Sequence, residues 1–491
     1  MTPVRRRSIV APISQPEGSA MRPLSLPILA LAVTLAVPAR AEIAPEALWS
    51  ALRSGTPLVT ASGGTASPEG DGLRVTDPVL ALGRGPDAAR IEAASLVLTP
   101  EGDGTRITLP DRFAIARGGL RYDIAAPGLA LVATGAPQDP AYRIDAPRLT
   151  ADGPGLPGGT VALSLLDTAG QIGAQQSRID AAALTLRLSQ PDAARLGDVS
   201  DERRAVSVTL DGPPGALFAG GTEPVALSIR SGSGSQTLDA RTGTGRKLTL
   251  EIGYADRDES LSLDGLSLGF EQSATALTLA VSGPHLPLRD AGVTVASSRI
   301  ATRAPVVPTE QPQPFRTDIA LTGIVPTGAT WDALDPDGTL PRDPGTLSLR
   351  LSGTARVGPR GQFMPRQVAL QEFDARLLGA EVSGQGAVEF VDPPAANTGP
   401  DTGPNSGPGA TSGIGRPLGS LAFALTGVTE LFDRLAALGT VPAGPLIGAR
   451  MGLGFFTRPG DGPDTLTTAV EFAPDGQLVV NGQALGPVPT R

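Results

Sequence analysis

The chain has 491 residues, 40% hydrophobic and 18% charged, with 62 Gly, 48 Pro, no Cys and one His. Zero Cys excludes disulfides, thiolate metal sites and cysteine nucleophiles, while one His and one Lys (Lys247) remove most zinc sites, nearly every His-dependent catalytic constellation and Schiff-base or phosphate-loop lysine chemistry. A formal charge of −9 argues against nucleic acid as a partner and against electrostatic docking on anionic lipid heads.

Residues 1–20 are polar and Arg-rich and read as an extension that is untranslated or disordered, with the true start at Met21. Arg6-Arg7-Ser8-Ile9-Val10 is a faint likeness of a twin-arginine motif, separated from the apolar core by a Pro- and Gly-containing gap. Residues 21–41 have a basic Arg22, an apolar run from Leu24 to Val37 and a small-x-small site at Ala39-Arg40-Ala41. That run is shorter than the roughly 20 residues a membrane-spanning helix needs. The segment is expected to be a cleaved signal peptide, with Glu42 as the first mature residue and the periplasm as destination. The mature chain would then have no transmembrane span. The absent disulfides are compatible with export, since exported proteins need not contain Cys.

A short N-terminal helix is expected from Pro45 at its first position to Gly55 at its stop, with Leu48, Trp49 and Leu52 on one face. The period then becomes two. Leu184, Leu186 and Leu188 alternate with polar residues, as do Val206, Val208 and Leu210, the run Leu248 to Tyr254, and Leu347, Leu349 and Leu351. Asp-Gly pairs at 71–72, 103–104, 211–212, 264–265, 337–338 and 475–476 suit tight turns. These signals divide the mature chain into a β-rich region 42–302, a Pro-rich connector 303–316 and a second β-rich region 317–392. A disordered Pro/Gly linker at 393–418 and a C-terminal α/β cap of the sheet at 419–491 follow. In the cap, Thr429 is expected to start one helix and Pro445 a second, whose Gly448, Gly452 and Gly454 would allow close packing on the sheet. The fold class is mainly β: a long antiparallel meander, either a curved sheet with a groove or a sandwich, with a short N-terminal helix and two C-terminal helices.

No stretch carries chemistry with the context it needs. Gly265-Leu266-Ser267-Leu268-Gly269 matches the hydrolase elbow pattern, but Ser267 lies in a strand-like alternation and His285 follows by only 18 residues, between prolines. Ser267 therefore reads as a wet-face serine and His285 as a loop residue. Asp256, Asp258, Glu259 and Asp264, and the pair Asp335 and Asp337, read as solvated turn acids rather than a calcium site. No catalytic, cofactor-binding or metal residue is assigned, and no cofactor is expected. With 3% aromatics and no long strands flanked by aromatic girdles, an outer-membrane barrel is disfavoured.

The C-terminal block, from LTGVTELFDRLAALG through GPLIGARMGLGFF to DGQLVVNG, resembles the end of the proteobacterial family catalogued as domain of unknown function 2125 (DUF2125). Pro45-Glu46-Ala47-Leu48-Trp49 after the signal is similar to its longer exported members. More remotely the meander resembles the AsmA-like proteins of the bacterial envelope, which implies an elongated sheet shielding an apolar groove and a role in lipid handling. The chain departs from these in its cleaved leader and its Pro/Gly insertion. Together these readings give a non-catalytic exported envelope protein whose amphipathic sheet binds lipid or another lipophilic ligand. The alternative is a periplasmic or outer-membrane scaffold without a ligand groove, with other envelope proteins as its partners.

Overall fold

The computed structural model describes residues 43–83, 88–155, 159–190, 196–213, 224–241, 246–284, 286, 290–359, 361–391, 415–439 and 443–487. The expected signal peptide, residues 1–20, His285 and positions 393–414 of the Pro/Gly linker lie outside the described residues. The described residues form four helices and 29 strands, and the strands join into one antiparallel sheet. Helix α1 (Pro45–Ser54) begins and ends where Pro45 and Gly55 place it. Proline fits because the first helical N–H has no intrahelical acceptor, and Gly55 stops the helix at φ +91°.

The strand β11 (Asp139–Pro154) divides the sheet. Its first half pairs with β10 (Ala130–Ala136), from which an arm runs through β7 (Gly104–Thr108), β6 (Ser95–Glu101) and β3 (Gly72–Thr76) to β2 (Thr65–Glu69). Its last residues pair with β9 (Leu120–Ala125), from which a second arm runs through β8 (Arg112–Arg117), β5 (Ala89–Glu92) and β4 (Val79–Leu82) to β1 (Val59–Ser62). The arms share one core: Val75, Leu96, Leu98 and Ile107 from the first meet Ala61 and Leu80 from the second, together with Leu48, Trp49 and Leu52 of α1. This lobe is a two-layer sandwich.

Beyond β11 come β12 (Thr160–Ile172), β13 (Gln176–Ser189) and β14 (Leu196–Asp211), after which the sheet forks. The first half of β14 pairs with β16 (Gly234–Arg241), which pairs with β17 (Lys247–Tyr254); its second half pairs with β15 (Val225–Ser231), which pairs with β18 (Asp256–Leu263). Both branches end on β19 (Ser267–Ser282). A plain meander follows through β20 (Asp290–Pro305), β21 (Gln313–Pro326), β22 (Gly345–Val357), β23 (Phe363–Leu377), β24 (Ala380–Val391) and β25 (Arg416–Thr426). It closes with β26 (Arg458–Pro459), β27 (Thr465–Phe472), β28 (Gln477–Val480) and β29 (Gln483–Pro487). Along the long strands the alternating Leu residues, such as Leu184, Leu186, Leu347 and Leu349, are half-buried rather than buried, so this part presents one apolar face instead of a closed core.

A crease crosses the long strands. Asp167, Ala205, Ala276 and Gly323 have positive φ (+47°, +49°, +48° and +66°), one each in β12, β14, β19 and β21. A left-handed residue inside a strand shifts the alternation, so Ala274 and Leu277, three apart, join one cluster with Tyr254 and Val295.

The structure corrects several expectations. Arg303 to Pro305 end β20 and Gln313 to Arg316 begin β21, with Arg303 opposite Arg316, so the Pro-rich connector shrinks to 306–312 and both β-rich regions share one sheet. The end of the expected linker, residues 416–418, is already strand. An unforeseen helix, α2 (Gly328–Leu334), buries Trp331. Thr429 lies inside α3 (Val428–Leu438) rather than capping it; Gly427 precedes the helix at φ +71°, and the Asp464 carboxylate accepts from the Glu430 N–H at 3.0 Å. The second expected helix is α4 (Ala443–Phe456), but among the described residues a Cβ at Gly448, Gly452 or Gly454 would meet nothing within 4 Å, so these glycines do not pack closely on the sheet. Ile447, Met451 and Phe456 are exposed and Phe455 is 74% exposed, so α4 displays its apolar residues instead of anchoring a core. Among the described residues no helix is long and apolar enough to cross a membrane.

Candidate functional site

The two arms of the N-terminal lobe do not fill the space between them. They flank a partly open apolar cavity of about 340 Å³, lined by Leu52 of α1, by Leu80 and Ile91 from one arm and by Leu98, Ile107 and Leu131 from the other. Tyr142 of β11 is its polar exception. Burial pushes the Tyr142 hydroxyl up to about 12; Thr56 opposes the shift and Asp139 adds to it. The hydroxyl oxygen forms no hydrogen bond of ordinary geometry, because Thr56 Oγ1 is engaged locally, donating to Val59 O at 2.8 Å and accepting from Val59 N at 3.1 Å.

The cavity wall is also the start of the long apolar face. Ile144 and Leu149 of β11 and Ile172 of β12 line it. Leu149 stands opposite Leu165, which stands opposite Leu184. Past the fork the face resumes through Ile252, Leu279 and Val293, then Ile319, Leu349 and Phe373, and finally Val382, Leu425 and Leu466, each group being cross-strand partners. Such a track has no directional chemistry. It accepts apolar surface, at roughly 25 cal/mol per Å² covered.

At the fork the apolar face is interrupted by four charges. Asp201 and Arg203 of β14 stand opposite Leu186 and Leu184, where the period calls for apolar residues. Arg203 pairs with Asp201 at 2.6 Å and with Glu259 of β18, and Arg257 pairs with Glu259. All four side chains are at most 14% exposed. Gln236 Nε2 donates to Asp201 Oδ2 at 2.9 Å, and the Arg257 guanidinium lies 5.4 Å from the Tyr254 ring centre while donating to Gln272 at 3.1 Å. Burial works against the Arg203 cation, but Asp201 and Glu259 outweigh it and hold its pKa above the ordinary value.

The opposite face is wet. Ser267 opens β19 there, its N–H donating to Asp264 Oδ1 at 3.2 Å, and strand rather than helix follows it. A shallow hollow across β18 to β22 carries Arg299, Arg303, Arg316 and Arg350, each paired with a carboxylate, namely Glu271, Asp264, Asp318 and Glu372. Of the turn acids, Asp258 pairs with Arg230 at the surface, whereas Glu259 is buried in the charge cluster, so it is not solvated as the sequence suggests. Asp335 is likewise fully buried. Burial raises its pKa, but the N–H groups of Leu340 and Thr339 and the Thr339 hydroxyl outweigh that and lower it below the usual carboxylate value. Among the described residues no three His, Asp or Glu side chains are grouped to hold a metal ion.

Neither the cavity nor the charge cluster was read from the sequence. The cluster left a signal, since Asp201-Glu202-Arg203-Arg204 puts charge on both parities of one strand. No protein-family model matches the chain, and no curated protein or solved structure matches it either.

Proposed function

We propose that this is a non-catalytic protein of the bacterial envelope that holds a lipid or another lipophilic molecule, its acyl chain lying in the N-terminal cavity and along the adjoining apolar face. The single observation that carries the reading is the apolar, partly open cavity of about 340 Å³, which lies in the size range of small-molecule sites and has one polar group, Tyr142, among its lining side chains. Its continuity with the half-buried face from Leu149 onward gives a long chain somewhere to extend. Export to the periplasm through residues 21–41, and the likeness to the DUF2125 and AsmA-like groups, belong to the same proposal.

The test is native mass spectrometry, with lipid extraction, of protein purified from the periplasm. A co-purifying lipophile in near-stoichiometric amount is expected. Protein that is empty, monodisperse and indifferent to added lipid would overturn the reading. One observation favours the scaffold alternative, namely the display of Ile447, Met451 and Phe455 on α4. Pull-down against envelope proteins, with and without these side chains, separates the two.

A further inference from the structure

Buried charge on an apolar face needs a reason. Asp201, Arg203, Arg257 and Glu259 sum to zero, and their mutual pairing offsets the desolvation that each incurs. The pairing is incomplete, however. Asp201 Oδ1, Tyr254 Oη and Arg257 Nε are buried and have no hydrogen-bond partner among the described residues. Tyr254 is 6% exposed; the Ser231 hydroxyl faces it without closing a bond of ordinary geometry and is instead 3.4 Å from Arg257 O. The Arg257 guanidinium lies 5.4 Å from the Tyr254 ring centre, and Arg257 is linked through Glu259 and Arg203 to Asp201, so the three vacancies belong to one site. A buried polar group left unpaired costs about 1–3 kcal/mol, and three at one spot imply a guest that supplies what is missing.

We propose that this cluster is the polar docking point for the head of an uncharged, hydroxyl-bearing acyl ester whose tail lies on the apolar face beside it. The inference rests on the lipophilic-ligand reading and specifies the class of ligand. Two vacancies are donors, the Tyr254 O–H and the Arg257 Nε–H, and one is an acceptor, Asp201 Oδ1. An ester with free hydroxyls both accepts and donates, so it matches all three. A carboxylate or phosphate head would meet Asp201 and Glu259 as closely as the arginines, and a cation the reverse; the neutral sum favours a neutral head. Leu184 and Leu186 on one side and Ile252 and Leu279 on the other give the tail apolar contact.

The experiment uses the delipidated full chain and Tyr254→Phe, which deletes one hydroxyl and keeps the ring. Each is titrated calorimetrically with monooleoylglycerol, oleate and 1-octadecene in one detergent. Monooleoylglycerol is expected to bind the wild type about five- to tenfold more tightly than Y254F, with octadecene binding both equally and oleate binding the wild type more weakly than the ester. Y254F should melt no lower than the wild type, since it removes an unpaired hydroxyl. Equal affinity of both proteins for the ester, or preference for oleate, overturns the head-group site while leaving the lipophilic-ligand reading intact. Failure of all three compounds to bind the wild type overturns both.

Discussion

Removing whatever fills the N-terminal cavity should loosen that lobe before the rest of the molecule. Unfilled apolar volume costs about 24 cal/mol per Å³, so 340 Å³ corresponds to a ceiling of about 8 kcal/mol. The whole net stability of a domain is typically about 5–15 kcal/mol. Relaxation of the short strands β1 to β10 recovers part of this, but even a quarter, about 2 kcal/mol, is measurable as a shift of several degrees in melting temperature. The assay compares extracted and unextracted protein by differential scanning calorimetry and by amide exchange on β3, β6 and β7. These strands carry Val75, Leu98 and Ile107 of the lobe core. Exchange is expected to accelerate there and to stay unchanged in β22 and β23. Adding back a lipophile at a hundred times its dissociation constant should restore about 2.7 kcal/mol. Coincident melts and exchange rates for the two preparations would refute the idea that the cavity is a filled site.

Arg203→Met leaves Asp201 on the apolar face without a cation, while Glu259 keeps Arg257, and should cost about 3–5 kcal/mol in urea unfolding, whereas replacing Asp201, Arg203, Arg257 and Glu259 together by Leu or Met should be neutral or stabilising. A loss below about 1 kcal/mol for the single variant would show the site to be wetter than its burial indicates. Because the folded-state pKa of Tyr142 is raised from 10.0 to about 12, its contribution is complete below pH 10 and is lost as pH rises from there toward 12. Two units correspond to about 2–3 kcal/mol, and Tyr142→Phe should remove that alkaline limb of the stability profile. Phe455→Ser should change stability by no more than about 0.5 kcal/mol, since the ring is 74% exposed; a larger loss in urea would place it in a packed environment.

What the sequence displays plainly is local. Pro45 and Gly55 bracket α1, and the Leu184-Leu186-Leu188 alternation is strand β13 because both signals act within a few residues. The Asp-Gly signals hold at Gly212, Gly265, Gly338 and Gly476, all with positive φ, whereas those at 71–72 and 103–104 are displaced by two residues. Gly70 and Gly102 supply the positive φ, while Gly72 and Gly104 already lie in strands, where a Cβ would run into the carbonyl oxygens of Leu98 and Ala133. A close approach between strands distant in sequence leaves no local trace. The same holds for Asp335, whose polar partners are confined to its own loop although its burial is not. It holds again for α4, whose apolar composition reads as core until the fold leaves it uncovered. The crease is the subtler case. Strict alternation sets Ala274 and Leu277 on opposite faces, and only the positive φ of Ala276, a residue with no special preference for it, brings them to one.

That crease and the charge cluster answer the same physical problem. A broad sheet with one uniformly apolar face has little to fix its register, because a slip by two residues exchanges one leucine for another. At the fork the ladder is also interrupted, with Arg204 N bonding Ser233 O and Gly232 N bonding Arg204 O, each at 3.0 Å, in place of regular pairing. A one-residue slip of β14 would carry Asp201 and Arg203 to the wet face and bring Glu202 and Arg204, now exposed, onto the apolar one, away from Glu259 and Gln236. A two-residue slip would keep the face but break the Arg203–Glu259 pair. The cluster therefore penalises both errors where hydrogen bonding alone is weakest. The all-apolar quadruple variant should accordingly gain stability and lose uniqueness, seen as multiple amide resonances for β14 to β18; a single sharp set would mean that the turns at 231–233 and 254–256 hold the register unaided.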